Sequence, residues 1–207
     1  MLGIKLAAES DTVPIIARIR RGVFRLANFL DNCLIEGRMD SDALILRSSS
    51  IDLHALAASV TESSQLISES HRLIVELDPD LPLLDADPQL LGILLLNLLG
   101  NAIKYSPPGS EVSLRIRHTG QACCFEVIDQ GCGIPADELP FIFHKYMRGR
   151  AVTSIPGAGL GLSLVYKITT LHGGHVEMKN REGEGAHATV TIPLNLATDR
   201  VEQSLIS

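Results

Sequence analysis

The chain has 207 residues, enough for one ordinary domain with an added element or for two small domains. At 45% hydrophobic and 20% charged residues it has a globular profile, which excludes an intrinsically disordered chain. A formal net charge of -6 argues against a general nucleic-acid binder with its basic stripe, but leaves room for a polyanionic ligand held by a few cations and helix ends.

The first dozen residues carry no clear pattern. Pro14 then suits the first turn of a helix. After it Ile16, Ile19, Val23, Leu26, Leu30 and Cys33 recur at alternating spacings of three and four, an a/d seam with Arg18, Arg20, Arg21 and Arg25 off it. Such a helix, about 14–36, either covers its own domain or forms half of a dimerising hairpin. Its place ahead of separable α/β material favours the second. The polar stretch EGRMDSDA (36–43) contains Gly37 and reads as a hinge, and ALILRSS (43–49) reads as a short strand. Asp52 is placed to cap a helix from Leu53 to about Ser68, with Leu53, Leu56, Val60 and Ile67 facing inward.

RLIVEL (72–77) is a strand, and a proline-containing loop leads from it to a leucine-rich helix at about 88–104. EVSLRIRHT (111–119) and ACCFEVID (122–129) alternate as antiparallel strands turned at Gly120. A region punctuated by glycine and proline runs from Gly131 to Gly157, followed by a helix at 158–172 and two strands, HVEMKN (175–180) and AHATVTIP (186–193). Helices alternating with strand pairs predict an α+β fold, an α/β sandwich with helices on one face of a mixed sheet, preceded by a helix.

Cys33, Cys123, Cys124 and Cys132 form no C-x-x-C pair, so reduced thiols are expected rather than a zinc site or a disulfide framework. The longest apolar run, LLGILLLNLLG (90–100), is about half the length needed to span a bilayer and contains Asn97. A soluble, cytoplasmic chain without a membrane segment is the expectation, even where a longer parent is anchored.

Three stretches carry chemistry. In the leucine-rich helix, Asn97, Asn101, Lys104 and Tyr105 share one face, while Leu91, Leu95, Leu98 and Ala102 lie on another that can pack on a sheet. An unpaired buried amide costs roughly 1–3 kcal/mol, so both asparagines need partners. They either tie down loop backbone or ligate a metal–phosphate group opposite Lys104, since amide oxygens are hard ligands that suit Mg²⁺. In VIDQGCGI (127–134) a strand ends in Asp129, followed by Gly131 and Gly133, an arrangement suited to accepting a hydrogen bond from the exocyclic amine of a flat ring such as adenine. In PGAGLGLSLV (156–165), Gly157, Gly159 and Gly161 precede an apolar helix whose N-terminus can face an anion. That spacing fits neither the Walker loop nor the dinucleotide fingerprint. Between the last two lies LPFIFHKYMRGR (139–150), which reads either as a packed amphipathic turn or as a lid docked by Phe143 and Tyr146, with Lys145, Arg148 and Arg150 toward phosphates.

In this order the stretches resemble the ATP-binding domain of sensor histidine kinases, within the superfamily that includes DNA gyrase and the mismatch-repair ATPases. NLLGNAIKYSP is similar to the family's N box, DQGCGI to its G1 box, IFHKYMRG to its F box and GAGLGLSLV to its G2 box, and the resemblance covers about 43–194. It implies ATP and Mg²⁺ as ligands, with Asn101 holding the metal assisted by Asn97, and Lys104 and Tyr105 on the phosphate side. Asp129 would accept from adenine, with access given by Gly131 and Gly133. Gly157, Gly159, Leu160, Gly161 and Leu162 would frame the lid and phosphate pocket, and Lys145 and Arg148 would be lid cations.

Hydrolytic relatives carry a glutamate four residues before the metal asparagine. Asn97 stands there and cannot act as a general base, which favours phosphoryl transfer over hydrolysis. None of the seven histidines fits the family's acceptor site on a hairpin. The resemblance therefore divides the chain into a partial dimerisation helix (1–38), a catalytic domain (43–194) and a tail (195–207). The partners it implies are the parent's acceptor hairpin, a response regulator and a second copy. A regulatory nucleotide-binding module, or a serine kinase or ATPase of the same superfamily, are the alternatives.

Overall fold

The computed structural model describes the backbone of residues 2–41, 44–67, 70–149, 158–181 and 185–195, and in the first helix the side chains of 15, 16 and 18 onward. That helix, α1 (Leu2–Asp40), begins before the expected start at Pro14 and runs through Gly37. The expected hinge at 36–43 is thus helical to Asp40, because Glu36 and Asp40, one turn apart, are both tied to lysines of the following domain.

The remaining elements are β1 (Ser49–Ile51), α2 (Leu53–Gln65), β2 (Arg72–Leu77), β3 (Leu84–Ala86), α3 (Pro88–Tyr105), β4 (Glu111–His118), β5 (Ala122–Ile128), a 3₁₀ turn (Leu139–Phe141), α4 (Gly161–Leu171), β6 (His175–Asn180) and β7 (Ala186–Pro193). Five strands form a sheet in the order β2-β4-β5-β7-β6, with β2 parallel to β4 and the other neighbours antiparallel. Helices α2, α3 and α4 pack together over it. This is the mixed-sheet sandwich the sequence predicts.

The strand alternation decides which face is covered. Leu114 and Ile116 of β4, Cys123 and Phe125 of β5, and Val190 and Ile192 of β7 are almost fully buried. They meet Leu91, Leu94, Leu95 and Leu98 of α3 and Leu164 and Ile168 of α4 in one core. The opposite face is polar, with Arg115 Nε 2.8 Å from Glu76 and His187 Nε2 3.0 Å from Glu126. The four cysteines are free thiols.

Caps set the helix starts. Asp52 Oδ1 accepts from the N–H of His54 at 2.8 Å, and Asp87 Oδ1 accepts from Gln89 and Leu90 at 3.0 and 3.1 Å ahead of Pro88. Asp87 also corrects one expectation. Its Oδ2 takes the N–H of Arg47 at 2.9 Å, so residues 44–48 are a tethered linker, and pairing starts only where Ser49 meets Ala86 of β3. β3 itself lies in the stretch read as loop. The last helix starts at Gly161 rather than 158, because Gly159 adopts φ +72°, outside the helical region.

Candidate functional site

The strand end of β5, the C-terminal half of α3 and the segment after β5 meet around two joined cavities. The inner one, about 120 Å³, has apolar walls that include Val127, Ile134, Ile142, Met178 and Ala188, and its acidic residues include Asp129. The outer one, about 530 Å³, is lined by cations Arg25, Lys104 and Arg148, by the amides of Asn28, Asn32 and Asn97, and by Gly159–Leu162 at the start of α4. Asn101, Tyr105, Arg148 and Leu162 border both.

Asp129 is held in place by backbone. Its Oδ1 accepts from Gly131 at 2.8 Å and from Ala186 at 3.0 Å, and Oδ2 makes no hydrogen bond among the described residues. Burial raises its pKa above the ordinary carboxylate value, partly offset by those two N–H groups and by the Arg181 charge. Gly131 is required by close approach, since a Cβ there would stand 2.7 Å from the Tyr105 carbonyl oxygen at the end of α3. Gly133 lines the inner cavity.

On α3 the two amides have different surroundings. Asn97 Nδ2 donates to Asn32 at 3.1 Å and to the Ile93 carbonyl at 2.9 Å, while its Oδ1 accepts from Asn32 at 2.9 Å. Asn101, half-buried at the junction of the cavities, has no side-chain hydrogen bond among the described residues. Lys104 Nζ donates to the Tyr105 hydroxyl at 3.0 Å and lies 4.7 Å from the centre of its ring.

The structure brings Asn97, Asn101, Lys104, Tyr105, Asp129, Gly133, Arg148, Gly159, Leu160, Gly161 and Leu162 to these cavities. Lys145 instead lies in ion pairs with Glu36 and Asp40 of α1. Gly157 and Arg150 lie outside the described residues. Of the two aromatics expected to dock the lid, Phe143 packs 5.9 Å from Tyr166 of α4, whereas Tyr146 is 71% exposed at φ 63°, its N–H donating to Gly159 at 2.9 Å. A Cβ at Gly159 would meet the Tyr146 backbone at 2.7 Å, so the two segments touch main chain to main chain.

The sequence reading missed the contributions of Arg25 and Asn32, which come from the preceding helix, and of Gly185, where a Cβ would fall 2.1 Å from the Asp129 carbonyl oxygen. The glycine doublet in REGEG was the available signal for the last. For the other two there was none.

An apolar slot ending in a carboxylate, opening onto a cationic chamber at a helix start, defines a nucleotide-binding α/β sandwich. The chain belongs to the family of histidine kinase-, DNA gyrase B- and HSP90-like ATPases, which it matches over residues 86–196. Sensor protein kinase PmrB of Pseudomonas aeruginosa is 31% identical over 185 residues, covering 86% of this chain and 38% of that protein. Mycobacterial sensor histidine kinase MprB superposes with a TM-score of 0.64 at 26% identity, covering 73% of this chain and 100% of that one. Full-length ShkA, solved in complex with AMPPNP, gives 0.70 at 27% identity, covering 84% of this chain and 37% of that one. The chain corresponds to the ATP-binding catalytic domain of such kinases and spans well under half the length of PmrB. No helix among its described residues is long and apolar enough to cross a membrane.

Proposed function

We propose that this chain binds Mg·ATP in the joined cavities and transfers the terminal phosphoryl group to a histidine on a helical hairpin of its parent kinase, for relay to a response regulator. The observation that carries this reading is the division of one continuous site into an apolar chamber containing Asp129 and a cationic chamber, with the amide of Asn101 between them. Adenine suits the first, where Asp129 accepts from the exocyclic amine, and the phosphates suit the second, opposite Lys104 and Arg148.

The donor set fits magnesium. Asn101 offers a hard oxygen without a partner among the described residues, assisted in this reading by Asn97. Among the described residues no group of three or more His, Cys, Asp or Glu could hold a metal, so the ion would be held mainly by phosphate and water. When bound, it supplies neutralisation of phosphate charge. Asn97 cannot take a proton from water, which favours transfer to an acceptor over hydrolysis. In this reading residues 1–38 are half of a dimerisation hairpin without the acceptor histidine, 43–194 the catalytic domain and 195–207 a tail. The domain works in the cytoplasm, whether or not the parent is anchored.

Calorimetric titration with ATP tests the pocket. Saturable one-site binding is expected, weakening at least roughly tenfold without Mg²⁺ or in Asn101→Ala, the loss of about 1.4 kcal/mol or more. A folded chain that does not bind Mg·ATP would overturn the reading. Labelling of a supplied acceptor hairpin with ATP then separates a kinase from a regulatory module, which would bind nucleotide and leave the hairpin unlabelled.

A further inference from the structure

One wall of the inner chamber has no strand ladder to hold it. β5 ends at Ile128, and order resumes at the 3₁₀ turn, where the Pro135 carbonyl accepts from Glu138 and Leu139 at 2.9 and 3.1 Å. Between Asp129 and Pro135 the chain runs Gln130-Gly131-Cys132-Gly133-Ile134, with Gly133 at φ +70°. Among the described residues no main-chain hydrogen bond ties 130–134 to a neighbouring segment. Two glycines in so short a stretch leave it many conformations, so a pocket wall built from it needs support from outside.

That support is one side chain of β6. Asn180 closes the strand, and its amide takes up both main-chain polar groups of Ile134. The Ile134 N–H donates to Oδ1 at 2.7 Å, and Nδ2 donates to the Ile134 carbonyl at 2.6 Å. The amide thus offers one acceptor and one donor, as a neighbouring strand would. Gly133 fits the same contact, since a Cβ there would stand 3.1 Å from Asn180 Oδ1.

The register of the last hairpin joins this contact to the carboxylate. Asn180 pairs with Ala186 of β7. Ala186 holds the other end of the loop: its N–H donates to Asp129 Oδ1 and its carbonyl accepts the Asp129 N–H, both at 3.0 Å. Asp129 and Ile134 are therefore anchored to one cross-strand pair, the first through Ala186 and the second through Asn180. Ile134 and Ala186 both border the inner chamber, as does Met178, two residues before Asn180 on the same face of β6.

We infer that Asn180 is a positioning residue for base recognition: it fixes Ile134 relative to Asp129 and so sets the chamber in which the base is held. The inference rests on the nucleotide reading proposed above and deepens it with a residue from the last strand pair. Asn180 is exposed and borders neither cavity, so it acts through Ile134.

The test is calorimetric titration of the whole chain with Mg·ATP and with Mg·purine riboside triphosphate, which lacks only the exocyclic amine. Wild type, Asn180→Ala and Asn180→Leu are compared, each checked for folding by circular dichroism. Leucine keeps the bulk of the side chain and makes neither hydrogen bond. The wild type is expected to prefer ATP, and each variant to bind Mg·ATP roughly 5- to 30-fold more weakly, the worth of two hydrogen bonds. The other triphosphate should weaken less, so the preference narrows. Hydrogen exchange gives a readout without substitution. Corrected for intrinsic rates, the wild-type Ile134 amide should exchange roughly tenfold or more slowly than that of Cys132, which makes no hydrogen bond among the described residues.

Mg·ATP affinity kept within about twofold in both folded variants would overturn the positioning role and leave the nucleotide reading intact. Equal exchange at the two amides, or an equal loss for both triphosphates, would do the same. A folded wild type that binds neither triphosphate, or both equally, would overturn the assigned base site and the inference with it.

Discussion

Asp129 Oδ1 is held by two backbone N–H groups, and an asparagine in its place would keep both bonds through its own oxygen. Burial raises the carboxyl pKa above its ordinary 3.8. For a raised acid the stabilising contribution is present below 3.8 and lost as pH rises through the raised value, so the ionised carboxylate lowers stability at neutral pH. Asp129→Asn is therefore expected to melt at or above the wild-type temperature at pH 7, while losing roughly 10- to 100-fold in Mg·ATP affinity, the worth of a hydrogen bond to a charged acceptor. Thermal melts paired with calorimetry check this. A variant that loses stability, or keeps its affinity, would contradict the assigned role.

Asn97 and Asn101 show what residue type and spacing leave undecided. Their separation by four placed them on one face in advance, and both border the outer cavity. That Asn97 is paired to Asn32 and Asn101 is not depends on a contact across 65 residues of chain, which no local pattern carries.

At the scale of elements, the start of α3 and the end of α4 are joined by one imidazole. His172 is fully buried, its Nε2 accepts the Asp87 N–H at 3.0 Å, and its Nδ1 lies 2.8 Å from the Ile168 carbonyl, which assigns the proton to Nδ1. Burial lowers its pKa, against the opposing effects of that carbonyl and of Asp87. A lowered base contributes stability that is present above its ordinary 6.5 and lost as pH falls toward the folded value. The wild-type melting temperature should thus fall between pH 7 and pH 5 more steeply than that of His172→Gln. His172→Ala, which orphans a buried N–H and leaves a void, should cost about 2–4 kcal/mol by urea denaturation. Equal pH slopes in the wild type and the glutamine variant would remove the titration argument.

The elements themselves were largely legible. Period-two alternation gave β4 and β5, the Asp52 cap gave α2, and the leucine-rich run gave α3. What failed did so for tertiary reasons. ALILRSS has strand-like composition, but Asp87 captures the Arg47 N–H, and the ladder starts two residues later. The region around Gly37 reads as a break, but ion pairs from the domain hold it helical.

For the whole molecule, α1 is the unfinished part. Ile16, Ile19, Val23, Leu26 and Leu30 form the a/d seam, and each is more than half exposed, Val23 at 62%. Such a stripe marks an interaction surface, and a second copy is its expected occupant in the proposed dimerisation hairpin. Sedimentation should show self-association that rises with concentration and is abolished by Leu26→Glu, a change far from the core. A monomer at high concentration would refute that assignment.

The sequence by itself determined the sandwich and the family to which the chain belongs. Strand and helix periodicities, caps, and the order of the asparagine, aspartate and glycine motifs are properties of short windows, and short windows are where local sterics and hydrogen bonding act. Only the tertiary structure decided which groups those motifs face. It set Asn97 against Asn32, turned Lys145 away to α1, brought Gly185 against Asp129 and put Arg25 on the wall of the outer chamber. Each of these is a meeting of residues far apart in the chain, fixed by how α1, α3 and the sheet pack rather than by any pattern along them.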